Sequence, residues 1–110
     1  MITRVWHGWT TPENADIYEN LLKTAIFPGI FAKNVAGFER LELFRRDLGH
    51  EVEFVTTMWF ESIEAVKAFA GADYEEAYVP VAARAVLARF DARSQHYEVR
   101  VGKNPSGPSG

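Results

Sequence analysis

Glu51–Phe69, EVEFVTTMWF followed by ESIEAVKAF, decides the fold. Val52, Phe54, Met58 and Phe60 alternate with Glu51, Glu53, Thr57 and Trp59. A period of two in β-branched and aromatic residues predicts a strand. The period then changes. Ile63, Val66, Phe69 and Ala70 recur at three- and four-residue steps, the buried stripe of an amphipathic helix. Ser62 stands where an N-cap hydroxyl accepts from the free amides of the first turn. Gly71 is placed to end the helix in the left-handed conformation. A strand running straight into a helix is a hinge between sheet and helix layer, and any pocket between those layers is lined by it.

Upstream, Gly37–Asp47 (GFERLELFRRD) alternates Phe38, Arg40, Glu42 and Phe44 against Leu41 and Leu43, which predicts the preceding strand. Asp47-Leu48-Gly49-His50 is the turn of the hairpin, with glycine where positive φ is needed. Ile2–Trp9 is a further strand with mixed faces: Thr3, Val5, His7 and Trp9 on one side, Ile2, Arg4, Trp6 and Gly8 on the other. Pattern alone does not say which side meets the core. Thr11-Pro12-Glu13 predicts a helix start with Thr11 as cap. Ile17, Leu21 and Ala25, with Tyr18, Leu22 and Ile26 beside them, give a stripe wide enough to lie on a sheet. Pro28-Gly29 should end or kink that helix, with Ile30 and Phe31 continuing briefly.

Downstream, Asp73-Tyr74-Glu75-Glu76 has the form of a capping box and predicts a second helical segment. Pro80 breaks or bends it, and Val81–Phe90 reads as helical again. Ser94–Val101 (SQHYEVRV) predicts a fourth strand, and residues 102–110 (GKNPSGPSG) a disordered tail. Residues 1–101 then form a single domain.

The 110 residues, 47% hydrophobic and 14% aromatic, suffice for one core. Most of the 3 Trp, 4 Tyr and 8 Phe fill it; the sharper reading of such a share is an aromatic-lined cavity for a flat ligand. A net charge of −3 with interspersed signs disfavours nucleic acid as a partner. No run approaches the roughly 20 apolar residues of a membrane span, and no secretory signal is visible. With no cysteine there are no disulfides, thiolate nucleophiles or cysteine-ligated metals, which fits a cytoplasmic protein. Phosphate loops, triad spacing and H-E-x-x-H are absent from the sequence, so hydrolase and nucleotide-binding readings have no support.

Strand, helix, strand, strand, helix, strand is the split βαβ order of ferredoxin-like α+β folds, a four-stranded antiparallel sheet with helices on one face. The other face carries large side chains and needs a cover. A second copy of the same sheet is the simplest one, so a homodimer is expected.

The segments GWTTPENAD, AGF, EVEFVTTMWFESIEAVKAFAG and HYEV together resemble the antibiotic biosynthesis monooxygenase family, from about Met1 to about Val101. The resemblance implies a dimeric α+β barrel. For activity it implies oxidation of a small aromatic phenol or quinol by molecular oxygen, with no metal or flavin cofactor; a related branch binds and degrades haem. The oxygenases' tryptophan at the end of the third strand falls at Phe60, with Trp59 one step earlier, and their asparagine four residues before it falls at Thr56. In the haem-degrading branch the ligand histidine falls at Tyr78 and a tryptophan at Phe69. Replacement of that histidine implies no tightly held haem.

The expected ligand pocket lies between sheet and helices, lined by Thr56, Phe60, Phe69, Tyr74, Tyr78 and Arg84. Arg84, one of few charges in its stretch, is either a solvated residue or the stabiliser of an anionic phenolate or carboxylate. Tyr74 and Tyr78 either offer hydroxyls to the pocket or pack on the helix face. His7 and His96 fall on neighbouring terminal strands, where a pair is conceivable; a third metal ligand is missing, and no metal site is expected. His50 belongs to a turn. Two function classes stay open: a cofactor-independent oxygenase, and a non-catalytic dimeric ligand-binding or stress-associated protein on the same scaffold.

Overall fold

The alternation at the hinge becomes the second of two central strands. In the computed structural model, which describes residues 1–105, β1 is Ile2–Thr10, β2 is Phe38–Asp47 and β3 is Val52–Phe60. β3 pairs antiparallel with both, from Ile2↔Phe60 to Thr10↔Val52 on one side and from Leu41↔Met58 to Asp47↔Val52 on the other. The hairpin turn closes as the glycine requires: Gly49 has φ +89°, and its amide donates to the Asp47 carboxylate at 2.8 Å.

The register assigns the faces that β1 alone left open. Ile2, Arg4, Trp6, Gly8 and Thr10 share a face with Val52, Phe54, Thr56, Met58 and Phe60, and this face meets the helices. A bulge between Phe38 and Arg40 corrects the simple alternation expected of β2. It moves Phe38 onto the helix side with Leu41 and Leu43, and sends Arg40, Glu42 and Phe44 to the other.

The helix layer starts with a 3-10 turn, Pro12–Asn14, before α1 (Ala15–Leu21). Thr11 is extended, but its side chain makes no capping bond. Pro28-Gly29 does not end this rod. A π-helical stretch, Leu22–Ile26, leads into α2 (Phe27–Ala32), with the Phe27 amide bonded back to the Leu22 carbonyl. The wider turn falls just ahead of the residue that has no N–H to offer. α3 is Ile63–Ala70; Ser62 Oγ accepts from the Ala65 amide at 3.2 Å, and Gly71 follows at φ +93°.

The helix expected from Asp73 does not form. Asp73 and Glu75 both bind Arg93, at 3.2 and 3.1 Å, and the Ser94 amide donates to the Glu75 carbonyl. These bonds hold residues 71–80 as a loop against the C-terminal segment, and Val79, preceding a proline, is disfavoured in a helix. Pro80 caps α4, a single turn at Val81–Arg84 rather than a helix to Phe90.

Residues beyond it return as β4 (Arg89–Phe90) and β5 (Gln95–Glu98), both antiparallel to β1. The sheet order is β2-β3-β1-β4, with β5 also on β1: of the strand expected over Ser94–Val101 only Gln95–Glu98 forms, and Arg89–Phe90, expected to be helical, adds a second short strand. Asp91 makes the break: its carboxylate accepts from the His7 amide at 3.2 Å and sits 2.8 Å from His7 Nδ1. The fold is the expected α+β antiparallel sheet with helices on one face. Residues 102–105 form no helix or strand; the rest of the expected tail, 106–110, lies outside the described residues. No helix among the described residues is long and apolar enough to cross a membrane.

Two clusters make up the core. Tyr18 and Leu22 pack on Val52 and Phe54, with the rings of Tyr18 and Phe54 edge to face at 5.0 Å. Ala65 and Val66 of α3 pack on Met58 and Phe60. Thr56 stands between Phe54 and Met58 on the same strand face, and there the helix layer leaves a gap.

Candidate functional site

That gap is a cavity of about 670 Å³. Its floor is Thr56 and Met58 of β3 with Arg4 and Trp6 of β1; its roof includes Ile30, Phe69 and Tyr78. The strand sequence explains it. A threonine set among Val52, Phe54, Met58 and Phe60 fills less space than its neighbours do, and its register partner Trp6 is drawn aside. The Trp6 Nε1 donates to the Asp91 carbonyl at 2.8 Å, and its ring lies over Gly8, where a Cβ would fall 2.9 Å from it.

Arg4 is the decisive side chain. It is 7% exposed, lines the cavity, and forms no ion pair with a carboxylate among the described residues. Its Nη1 donates to the Tyr74 carbonyl and lies 3.0 Å from His96 Nε2. The guanidinium carbon is 5.7 Å from the centre of the Phe69 ring, and Lys33 Nζ is 4.6 Å from the same ring. Burial pulls the Arg4 pKa down to about 10. Burial and, second, the Arg4 charge push His96 below the usual histidine range, against an opposing pull from Glu75. A buried cation with no ion-pair partner is costly, and Glu76, the carboxylate that lines the same cavity, makes no ion pair with it. Here the cation sits on the wall of a mostly apolar cavity large enough for a flat polycyclic molecule.

Of the six expected pocket residues, Thr56, Phe69 and Tyr78 line the cavity. Tyr78, 85% exposed, stands at its mouth. Phe60 is fully buried behind Phe69, ring centres 5.7 Å apart. Tyr74 reaches the site through its carbonyl, with its ring edge-on to His96 at 5.1 Å. Arg84 lies outside: it is exposed, its Nε donates to the Val79 carbonyl at 2.9 Å, and its guanidinium is 6.0 Å from the Phe90 ring. The cation facing the cavity is Arg4, with Lys33 also among the lining residues. The conceivable His7–His96 pair does not occur, because the strand pleat sends His7 to the helix-free face and His96 to the other. His50 is exposed in its turn. Among the described residues no group of three or more His, Asp and Glu could hold a metal ion.

No protein-family model matches the chain, and no curated protein matches its sequence. The fold does match solved structures. A Bacillus cereus protein assigned as an antibiotic biosynthesis monooxygenase superposes with a TM-score of 0.65 at 19% identity, covering 94% of this chain and 96% of that one. The haem degrader MhuD of Mycobacterium tuberculosis, solved with two haems in its active site, gives 0.55 at 24% identity, covering 94% and 100%. A point mutant of MhuD with two manganese protoporphyrins per active site gives 0.57 at 23%, covering 94% and 99%. The chain thus has the fold of these proteins.

Proposed function

We propose that the chain is a cofactor-independent monooxygenase acting on a small aromatic phenol or quinol, which it binds as the anion in the Thr56–Arg4 cavity. The observation that carries this is the buried guanidinium of Arg4, unpaired by any described carboxylate, on an apolar cavity wall. A phenolate oxygen on Arg4 supplies the missing counter-charge in a low-dielectric site. The Thr56 hydroxyl is a second donor on the same floor, while Phe69 and Trp6 flank the ring. Such an electron-rich anion is the form a phenol must take to reduce dioxygen. For a phenol becoming a quinone, a ring C–H and the O–H each become C=O, and the second oxygen atom leaves as water. The substrate supplies all four electrons, and the protein's part is orientation and charge stabilisation.

Haem, bound by the structural neighbour MhuD, does not fit as a ligated group: no described histidine lines the cavity. His96 Nε2 is turned onto Arg4, which leaves oxygen donors among the lining residues, Tyr78 at the exposed mouth and Glu76 with it. No step is routed through haem.

The subunit is proposed to work as a cytoplasmic homodimer joined through the helix-free sheet face. Val5, Trp9, Val55 and Trp59 lie on that face, and Thr3 Oγ1, Thr57 Oγ1 and Trp59 Nε1 are buried without partners. The function is tested by oxygen consumption with polycyclic phenols and quinols, without added metal or flavin. Turnover giving a quinone is expected. Binding with no oxygen uptake across such a panel would favour the non-catalytic ligand-binding protein.

A further inference from the structure

Arginine offers only donors, so the 3.0 Å contact between Arg4 Nη1 and His96 Nε2 fixes the histidine's state. Nε2 accepts, the ring is neutral, and its proton sits on Nδ1. That Nδ1 is buried with no hydrogen-bond partner. The pair therefore holds two unanswered groups at once, a guanidinium charge and an imidazole N–H, beside a cavity.

We infer that Arg4 and His96 form a proton-coupled anion site, which takes an aromatic acid as its anion on Arg4 while His96 gains a proton. This rests on the functional reading above and deepens it. An anion drawing on Arg4 cancels the positive charge that faces His96 and offers an acceptor close to Nε2. The imidazolium then has a partner for Nε2–H, where the empty site presents only the donors of Arg4. The groups around His96 agree with this. Arg4 opposes its protonation from β1, whereas Glu75 in the loop favours it. The Tyr74 ring lies edge-on at 5.1 Å, with Lys67 of α3 5.8 Å from that ring on its own account. Once Arg4 is neutralised, Glu75 is the charge that remains to act on the imidazole. For a carboxylate ligand the proton comes from water. For a phenol the O–H bond breaks and its proton goes to solvent, while His96, which lies behind Arg4 and off the cavity lining, takes a proton from solvent to form the Nε2–H bond and the phenolate stays on Arg4. The pair that binds the substrate thereby favours its ionised form.

The probe is 2-naphthoate, with neutral 2-naphthamide as its isostere. Calorimetry of the intact protein at pH 7, in buffers of different ionisation enthalpy, counts protons taken up on binding. The expected result is uptake approaching about one proton per site, and affinity falling by up to about tenfold per pH unit as pH rises. Naphthamide should bind much more weakly and take up none. His96→Gln should bind naphthoate with no uptake and no pH dependence. Naphthoate binding without proton uptake overturns the coupling and leaves the anion cavity standing. Equal binding of amide and acid overturns Arg4 as the anion site, and no binding of either overturns the cavity reading with it.

Discussion

A Cβ placed on Gly37 would fall 2.8 Å from the Cβ of Ala65, closer than two carbons pack. The two residues mark where β2 enters the sheet and where α3 leaves it. The Glu61 amide, between β3 and α3, donates to the Gly37 carbonyl at 2.8 Å, and Gly37 holds φ +86°. One glycine thus sets the height of α3 above the sheet, and with it the position of Phe69 on the cavity roof.

Gly37→Ala should therefore cost about 2–4 kcal/mol, the sum of left-handed strain and overpacking. Urea unfolding measures it. A variant as stable as the parent would show that α3 moves freely on the sheet. If α3 instead lifts to make room, the loss appears also as weaker binding of a flat ligand beneath Phe69.

The helix-free face makes the second prediction. Light scattering after size exclusion should give about twice 12.4 kDa. Trp59→Asp puts a charge beside the unpartnered hydroxyl of Thr57, and should return the mass to that of one chain while leaving the circular dichroism of the fold. A parent that is monomeric at all concentrations would remove the dimer.

His96 gives a pH dependence whose sign is fixed. Its folded pKa is depressed, by burial first and Arg4 second. As pH falls below about 6.5 the unfolded chain takes up the histidine proton before the folded chain does. Stability is then lost as pH drops through that window and is flat above it. His96→Gln lacks this contribution, so the difference between parent and variant in urea midpoint should shift in the parent's favour from pH 5.5 to pH 7. A constant difference would mean that His96 titrates alike in both states. With naphthoate bound, the same histidine should instead add stability as pH falls.

Most of the fold was legible because it is written in local period. The change from alternation to helical spacing at Ser62, the glycines at 49 and 71 and the strand order all survive in the structure. What local pattern could not hold was tertiary. The acidic run Asp73–Glu76 is a capping box by spacing, yet Asp73 and Glu75 are claimed by Arg93 some twenty residues on. Pro28-Gly29 reads as an end or a kink, and local pattern does not choose between them; a π-helical stretch carries the helix past it. The site divided the same way. Thr56 and Phe69 stand on the hinge, whose two periods place them towards the cavity. Arg4 was missed because β1 has no cleanly apolar face; its orientation follows only from pairing with Met58. An arginine alternating with Ile2 and Trp6 was the available signal, and it becomes readable once the register is known.

The two arginines provide the sharpest test of function. The sequence leaves Arg84 as either a solvated residue or an anion stabiliser; the side chain is exposed and spends its Nε–H on the Val79 carbonyl, whereas Arg4 is buried on the cavity floor. A charge-assisted hydrogen bond to a developing anion is worth about 1.5–3 kcal/mol, so Arg4→Met should lower kcat/KM for a phenol or quinol by about tenfold to a hundredfold. Arg84→Ala should stay within about twofold, as surface substitutions do. Both are read as oxygen uptake, with circular dichroism to show that each variant is folded. Arg4→Met also leaves the Tyr74 carbonyl and His96 Nε2 without their donor, so Arg4→Lys is the control that keeps a charge. Lysine cannot present a planar fork, and partial recovery with an altered pH profile is its expected behaviour. If Arg84→Ala slows turnover while Arg4→Met does not, the anion binds near α4, and the cavity under Phe69 is not where the chemistry occurs.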